Sequence, residues 1–341
     1  MQNNAGVKRR EAFHPSPFKA ALDKARPYLY LAPAALILFT FHLFPIVYGG
    51  FISLHQWGLK PGKMVGLQNY KLILADAEWW DSLLNTFYYV LTTVPLELGL
   101  GMLFAVLLFG KIKGRNLYRL SYFAPYITPL AAIGVVWGWV FNYNTGIING
   151  VIRMLGGSAP RWLLEPTGIL TLLGRFLGVK IPFGLEGPSL ALVTISIVTV
   201  WHYVGFHTVI YLGGLTQIPK ELFEAAKIDG ANSFRVFRHI ILPILSPTTL
   251  FLSVVGTIGA FQSITLIYVM TGMGWGGAGA SGHPLGTTRV ALLYIFEYFF
   301  TYTQTGYAMA GAILLFFIIL FLSLLQMKVA GRRVFYLGEG D

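Results

Sequence analysis

Apolar residues dominate six windows of the chain, 28–54, 85–109, 120–141, 190–215, 248–271 and 307–327, each long enough to carry a helix across the hydrocarbon layer of a membrane. The pattern predicts an all-α polytopic membrane protein with six transmembrane helices, a span of 28–330 between terminal segments 1–27 and 331–341. Pro33, Pro45, Gly49 and Gly50 interrupt the first window, and a kink near Pro45 is expected. In the polar stretch 142–189, Ile169, Leu170, Leu172, Leu173, Phe176 and Leu177 recur at helical spacing over too few residues to span, which predicts a surface or re-entrant helix. Residues 272–286 read as a glycine-rich loop, with a short apolar piece at 291–300 dipping in beside it. Trp137, Trp139 and Phe141 close the third window and suit an interfacial aromatic belt.

Composition supports the membrane reading. Only 11% of the 341 residues are charged and the mean hydropathy is +0.64, too little charge to coat a soluble globule of this size. The net charge of +11 raises nucleic acid as a partner, but the placement of the cations points to lipid instead. Segments 1–27, 110–119, 216–247 and 328–341 hold 17 of the 25 Lys and Arg, and the longer alternate segments hold 8. By the positive-inside rule both termini and the 216–247 loop are expected to be cytoplasmic. The first 26 residues lack a short apolar core followed by a cleavage site, so a retained tail is expected. With no cysteine there is neither a disulfide nor a thiolate metal site.

One segment cannot lie in lipid. The 216–247 island carries Lys220, Glu221, Glu224, Lys227, Asp229, Arg235 and Arg238 between two apolar windows. Pro219 suits the first turn of a helix and Gly230 the position just past its end, so a short stopped helix is predicted over 220–229. Leu222, Phe223, Ala226 and Ile228 give it an apolar aspect, Ala225 and Ala226 would admit a close neighbour, and Glu224 offers a charge to a cation on a partner. A second helix is expected over 233–241, ended by Pro243. The plainer alternative is a solvated loop in which Lys220 and Glu224 pair at i, i+4.

The run Glu224, Ala225, Ala226, then Gly230, then Ile240, Leu242 and Pro243 resembles the EAA motif of permease subunits of binding-protein-dependent ABC importers. Phe141, Asn142, the run Gly146 to Asn149, Ile218, Pro219 and the closing Leu324, Leu325 and Gln326 are similar to its carbohydrate-uptake branch, the MalF/UgpA-like permeases. The resemblance covers about 28–330 and implies the type I ABC importer permease fold in a bacterial or archaeal cytoplasmic membrane. It implies that Glu224, Ala225, Ala226 and Gly230 form a coupling helix docking on an ATPase subunit, with Asp229, Leu242 and Pro243 as buttresses. It further implies a second homologous permease subunit, two ATPase subunits carrying ATP and Mg, and an extracytoplasmic sugar-binding protein. Against the maltose permease, its two additional N-terminal helices and large external domain are not expected here, and the 142–189 stretch is longer than the family pattern.

Within the fourth window Thr199, His202, Tyr203 and Phe206 fall at i, i+3, i+4 and i+7, a mixed polar and aromatic stripe. Hydroxyls and apolar C–H faces of a saccharide suit such a stripe; ordinary helix packing is the alternative. Alignment on the EAA motif places these four, together with Tyr126, Gly259, Ala260 and Ser263, at positions that contact substrate in the family. Glu97 is an intramembrane carboxylate with no basic residue on an adjacent predicted turn, so a structural role facing the bundle is expected, a proton relay being the alternative. His202 and His207 lie on different faces and do not make a metal pair. There is no phosphate-binding loop and no hydrolytic constellation, so the chain is expected to be a transport subunit rather than an enzyme, without a cofactor of its own. The competing class is a secondary transporter driven by an ion gradient, which would need broken half-helices and further ionisable groups.

Overall fold

The computed structural model describes residues 17–110, 114–182, 184–272, 284–332 and 334–335. Most of the predicted glycine-rich loop and parts of both terminal segments lie outside these. Helices follow one another as α1 (Pro17–Leu38), α2 (Phe44–Ser53), α3 (Gln68–Ala75), α4 (Ala77–Phe109), α5 (Arg115–Ile127), α6 (Leu130–Val140), α7 (Ile147–Met154) and α8 (Ile169–Leu177). Then come α9 (Leu190–Leu215), α10 (Lys220–Ile228), α11 (Ser233–Val236), α12 (Leu242–Ile244), α13 (Ser246–Phe261), α14 (Thr265–Gly272), α15 (Ala291–Phe296) and α16 (Thr305–Gly331). Isolated bridges join His55 to Met64 and Gly168 to Ser189, and no strand occurs among the described residues.

Among the described residues, five helical stretches are long and apolar enough to cross a membrane, or six if α5 and α6 count as one broken span. The expected continuous helix over 120–141 is thus corrected: the chain turns by 97° between α5 and α6. Pro129 has no N–H to give and pushes Thr128 into extended backbone, φ −75° and ψ 134°, which ends α5. The expected 248–271 helix is likewise interrupted, at 262–264 between α13 and α14. Irregular backbone at this depth is tolerated where it lines a cavity. The aromatic belt is corrected too: Trp139 is exposed, whereas Trp137 and Phe141 pack into the core.

In the N-terminal unit, residues 1–52, α1 is already helical from Pro17, and a π turn at Phe39–Leu43 precedes Pro45. There the Phe44 N–H reaches back to the Phe39 carbonyl, so the predicted disturbance near Pro45 is a π turn. A second π turn, Phe237–Ile241, stands in the same register before Pro243. The helix passes through Pro243 to Ile244 instead of stopping, because the widened turn makes room for the ring.

The 53–341 unit is built on α4 and α9, which run parallel in close contact. Asp76 caps α4 by accepting from the Glu78 N–H at 2.9 Å, and Ser189 caps α9 by accepting from the Leu192 N–H at 3.1 Å. Glycines set the distances: a Cβ on Gly101 would lie 2.6 Å from the His207 Cβ, and one on Gly205 only 1.8 Å from the Tyr122 carbonyl oxygen. Toward the C-terminal ends of α4 and α9, Met102, Ala105, Leu108, Tyr211, Leu215 and Leu245 form an apolar cluster. A second cluster packs Trp79, Phe261 and Tyr294 with Leu315 of α16.

At the end of the bundle where α4 begins, Arg289 ties three elements together. Its guanidinium contacts Glu78 at 2.9 Å and Glu297 at 3.5 Å and lies 5.6 Å from the Tyr294 ring centre. Burial works against its charge, but the carboxylates of Glu78 and Glu297 hold it protonated above its ordinary range. Burial also opposes ionisation of Asp76, yet the hydroxyls of Tyr294 and Tyr307 and the Glu78 N–H hold it below the usual carboxylate range. Thr86 of α4 accepts from the Ala291 N–H at 2.8 Å and so caps α15. Arg289→Met removes the guanidinium from the buried Glu297 and is expected to destabilise this end by about 3 kcal/mol. The melting temperature of the purified complex reports it, with Arg289→Lys falling between.

Candidate functional site

The two interrupted helices meet α4 and α9 around one cavity of about 220 Å³. Its lining includes Tyr126 and Leu130 on either side of the α5–α6 turn, Gln262, Ser263, Ile264 and Thr265 at the α13–α14 interruption, and Gly259 and Ala260 just before it. From α9 come Thr199, Tyr203, Phe206 and His207, and from α4 come Tyr89 and Glu97. Seven of the eight positions expected to contact substrate therefore share one wall system: Tyr126, Thr199, Tyr203, Phe206, Gly259, Ala260 and Ser263. The eighth is corrected: His202 is buried behind the lining, 5.7 Å from the Tyr126 ring and edge-on to Tyr203 at 4.6 Å, because i+3 turns it off the cavity side of α9.

The rings form a cluster. Tyr126 stacks on Phe206 with centres 4.9 Å apart and planes 22° apart, and Tyr203 lies 5.9 Å from it. Opposite, a directed hydrogen-bond chain links α4, α9 and the α13–α14 interruption. Thr199 donates to the Ile195 carbonyl at 3.0 Å, so it accepts from the Tyr89 hydroxyl at 2.8 Å, and Tyr89 in turn accepts from Ser263 at 3.1 Å. This leaves the Ser263 oxygen as an acceptor. The sequence reading missed Tyr89, although Tyr89, Thr93 and Glu97 fall at i, i+4 and i+8 on one face of α4. It also found no base for Glu97; the structure places the His207 Nε2 3.9 Å from the Glu97 Oε2, both residues being buried.

A second region of interest is α10. The helix forms where its brackets predict, with Pro219 at the N-cap and Gly230 beyond the C-terminus in the left-handed region, φ +70°. The Ala231 N–H bonds the Ala226 carbonyl at 2.9 Å and the Gly230 N–H bonds Lys227 at 3.2 Å, a complete Schellman stop. Phe223 packs on Phe109 with ring centres 5.9 Å apart, anchoring one face to the bundle. Ala226 is buried on that same face, which corrects the expectation that it is open to another surface. Ile228, expected with the apolar aspect, is instead 87% exposed on the outward face with Glu224 and Ala225. Asp229 is exposed, and Leu242 packs against the apolar cluster that ends α4 and α9.

A bundle of broken and unbroken apolar helices around a mixed polar and aromatic cavity, with a stopped amphipathic helix at one end, is the arrangement of a membrane permease. The family described as the binding-protein-dependent transport system inner membrane component matches residues 98–336, and the chain belongs to it. The trehalose/maltose transport system permease protein MalF of Thermococcus litoralis is 32% identical over 308 residues, 90% of this chain and 94% of that protein. The arabinooligosaccharides transport system permease protein AraP of Bacillus subtilis is 30% identical over 322 residues, 93% and 91% of the two chains. A solved bacterial alginate ABC transporter, in complex with an alginate pentasaccharide-bound periplasmic protein, shares the fold with a TM-score of 0.72 at 16% identity, covering 93% of this chain and 98% of that one. The protein is therefore an inner-membrane transport component of an ABC importer, not an enzyme.

Proposed function

We propose that the chain forms half of the translocation path of an ATP-driven saccharide importer, with an oligosaccharide as cargo. The observation that carries this reading is the cavity itself, where stacked Tyr126 and Phe206 can receive the apolar face of a sugar ring. Ser263 and the Tyr89 hydroxyl stand opposite to meet its hydroxyls. A second, similar permease subunit completes the path, and an external sugar-binding protein delivers cargo at the end where α4 begins. Both termini and α10 face the cytoplasm, in keeping with the cation placement.

Energy enters through α10. Glu224, Ala225 and Gly230 present the outward face to an ATPase subunit, which binds ATP and Mg; Ala226 and Leu242 fix the helix to the bundle, and Asp229 and Pro243 shape the turn and helix that follow. Two ATPase subunits that close on ATP prefer the position of α10 found in the outward-facing form, and this differential affinity drives the change. In proteoliposomes holding the complete transporter, saccharide uptake is expected to require ATP and the binding protein and to survive collapse of the proton gradient. Uptake that follows the gradient with ATP maintained would instead favour the secondary-transporter reading, to which Glu97 and the broken helices would then belong.

A further inference from the structure

Glu97 and His207 sit on the cavity wall with a gap between them that neither fills. The Glu97 carboxyl makes no hydrogen bond to the protein among the described residues, and the 3.9 Å to His207 Nε2 is beyond hydrogen-bond reach. The other ring nitrogen is committed: Nδ1 lies 3.0 Å from the Tyr203 carbonyl, and since a carbonyl only accepts, Nδ1 carries a proton. Nε2 and Oε2 would then be two bare acceptors facing each other unless one proton lies between them. An uncompensated charge at this depth is costly, so the couple holds that proton and is neutral as a whole. Gly256 borders the approach without a side chain; a Cβ there would touch Nε2, at 3.9 Å.

We infer that Glu97 and His207 form a hydroxyl clamp that makes this half of the path selective for uncharged saccharides over uronates and sugar phosphates. A group that fits between them must accept from one partner and donate to the other across a short span, and a sugar hydroxyl does both. A carboxylate or a dianionic phosphate accepts but cannot donate, and none of the described residues lining the cavity is Lys or Arg to offset its charge. His207 follows Phe206 on α9, its ring centre 5.6 Å away, and Glu97 faces it from α4, so the clamp borders the aromatic cluster on which a sugar ring would stack. The solved alginate importer that shares this fold handles an acidic polysaccharide, so the fold itself does not set the charge of the cargo.

The inference rests on the saccharide reading, and one binding experiment separates the two. Trehalose and maltose serve as neutral probes and digalacturonate as the acidic one, titrated calorimetrically into the purified complete transporter. Wild type is expected to bind a neutral disaccharide and to discriminate against digalacturonate. Glu97→Leu, close in size and apolar, should weaken neutral binding about tenfold or more, as loss of a buried charge-assisted hydrogen bond does. Glu97→Gln, whose amide still donates and accepts, should lose only a few-fold, and His207→Leu gives an independent loss if Glu97→Leu does not assemble. Unchanged affinity in Glu97→Leu and His207→Leu overturns the clamp and leaves the saccharide path standing. Digalacturonate bound as tightly as the neutral sugars overturns the selectivity. Failure of wild type to bind any of the three overturns the saccharide reading beneath both.

Discussion

Gly230→Val is expected to reduce uptake by about tenfold or more while leaving membrane insertion intact. The position has open space around it, so crowding is not the cause; the constraint is the backbone, held at φ +70°. A β-branched residue costs about 1–2 kcal/mol there, roughly a tenfold shift in the population of the correctly stopped helix. With the stop lost, the chain runs on past Asp229 and the outward face of Glu224, Ala225 and Ile228 turns away from the position in which Phe223 and Ala226 hold it. Glu224→Ala removes the charge from that face without touching the backbone and should lower uptake as well. Measured against complex yield, ATP hydrolysis in both variants should continue while uptake falls. Normal transport in both would remove α10 from the coupling role.

Gly205→Ala should be more damaging still, because it strikes the fold. The added Cβ would lie 1.8 Å from the Tyr122 carbonyl oxygen and 3.1 Å from the Phe123 Cα, both backbone atoms that no rotamer change can move. Forcing α5 from α9 costs about 1–3 kcal/mol by the measure of overpacked cores, and it carries Tyr126 off Phe206. The expected result is a lower melting temperature, poor recovery of the assembled complex and loss of uptake in what remains. Gly213→Ala, on the same helix with nothing within 4 Å, is the control and should be neutral. Equal behaviour of the two variants would show that α5 and α9 can separate at Gly205 without cost.

What the sequence could reveal followed the range of its signals. The ends of α10 were legible because local groups define them, Pro219 and Gly230 at the brackets, and those of α9 because the apolar window 190–215 coincides with the helix. The windows 120–141 and 248–271 were read as unbroken because averaged hydropathy is blind to one turn of backbone. Pro125 and Pro129 were the cue to the first break, and Gln262 and Ser263 a fainter one to the second. The stripe on α9 was readable as a periodicity, but which residue of it faces away, His202, depends on where α5 lies. Glu97 and His207 belong to helices far apart in the chain, and no spacing rule brings them together. The outward turn of Ile228 was missed because an amphipathic count assigns apolar residues to one face, and here the bundle takes Phe223 and Ala226 alone.

The walls of the cavity differ in stiffness. On one side α9 runs without interruption from its Ser189 cap to within a short turn of α10, a rod about 39 Å long at 1.5 Å per residue. On the other, the chain turns by 97° at 128–129, and the helix is interrupted at 262–264. In the proposed coupling, a push at α10 would be carried along α9 toward Thr199 and Phe206, while Tyr126 sits beside the α5–α6 turn and Ser263 in the α13–α14 interruption. Cargo would be released less by widening of the whole tunnel than by shear between a strut and two pivots, unstacking Tyr126 from Phe206 as it proceeds.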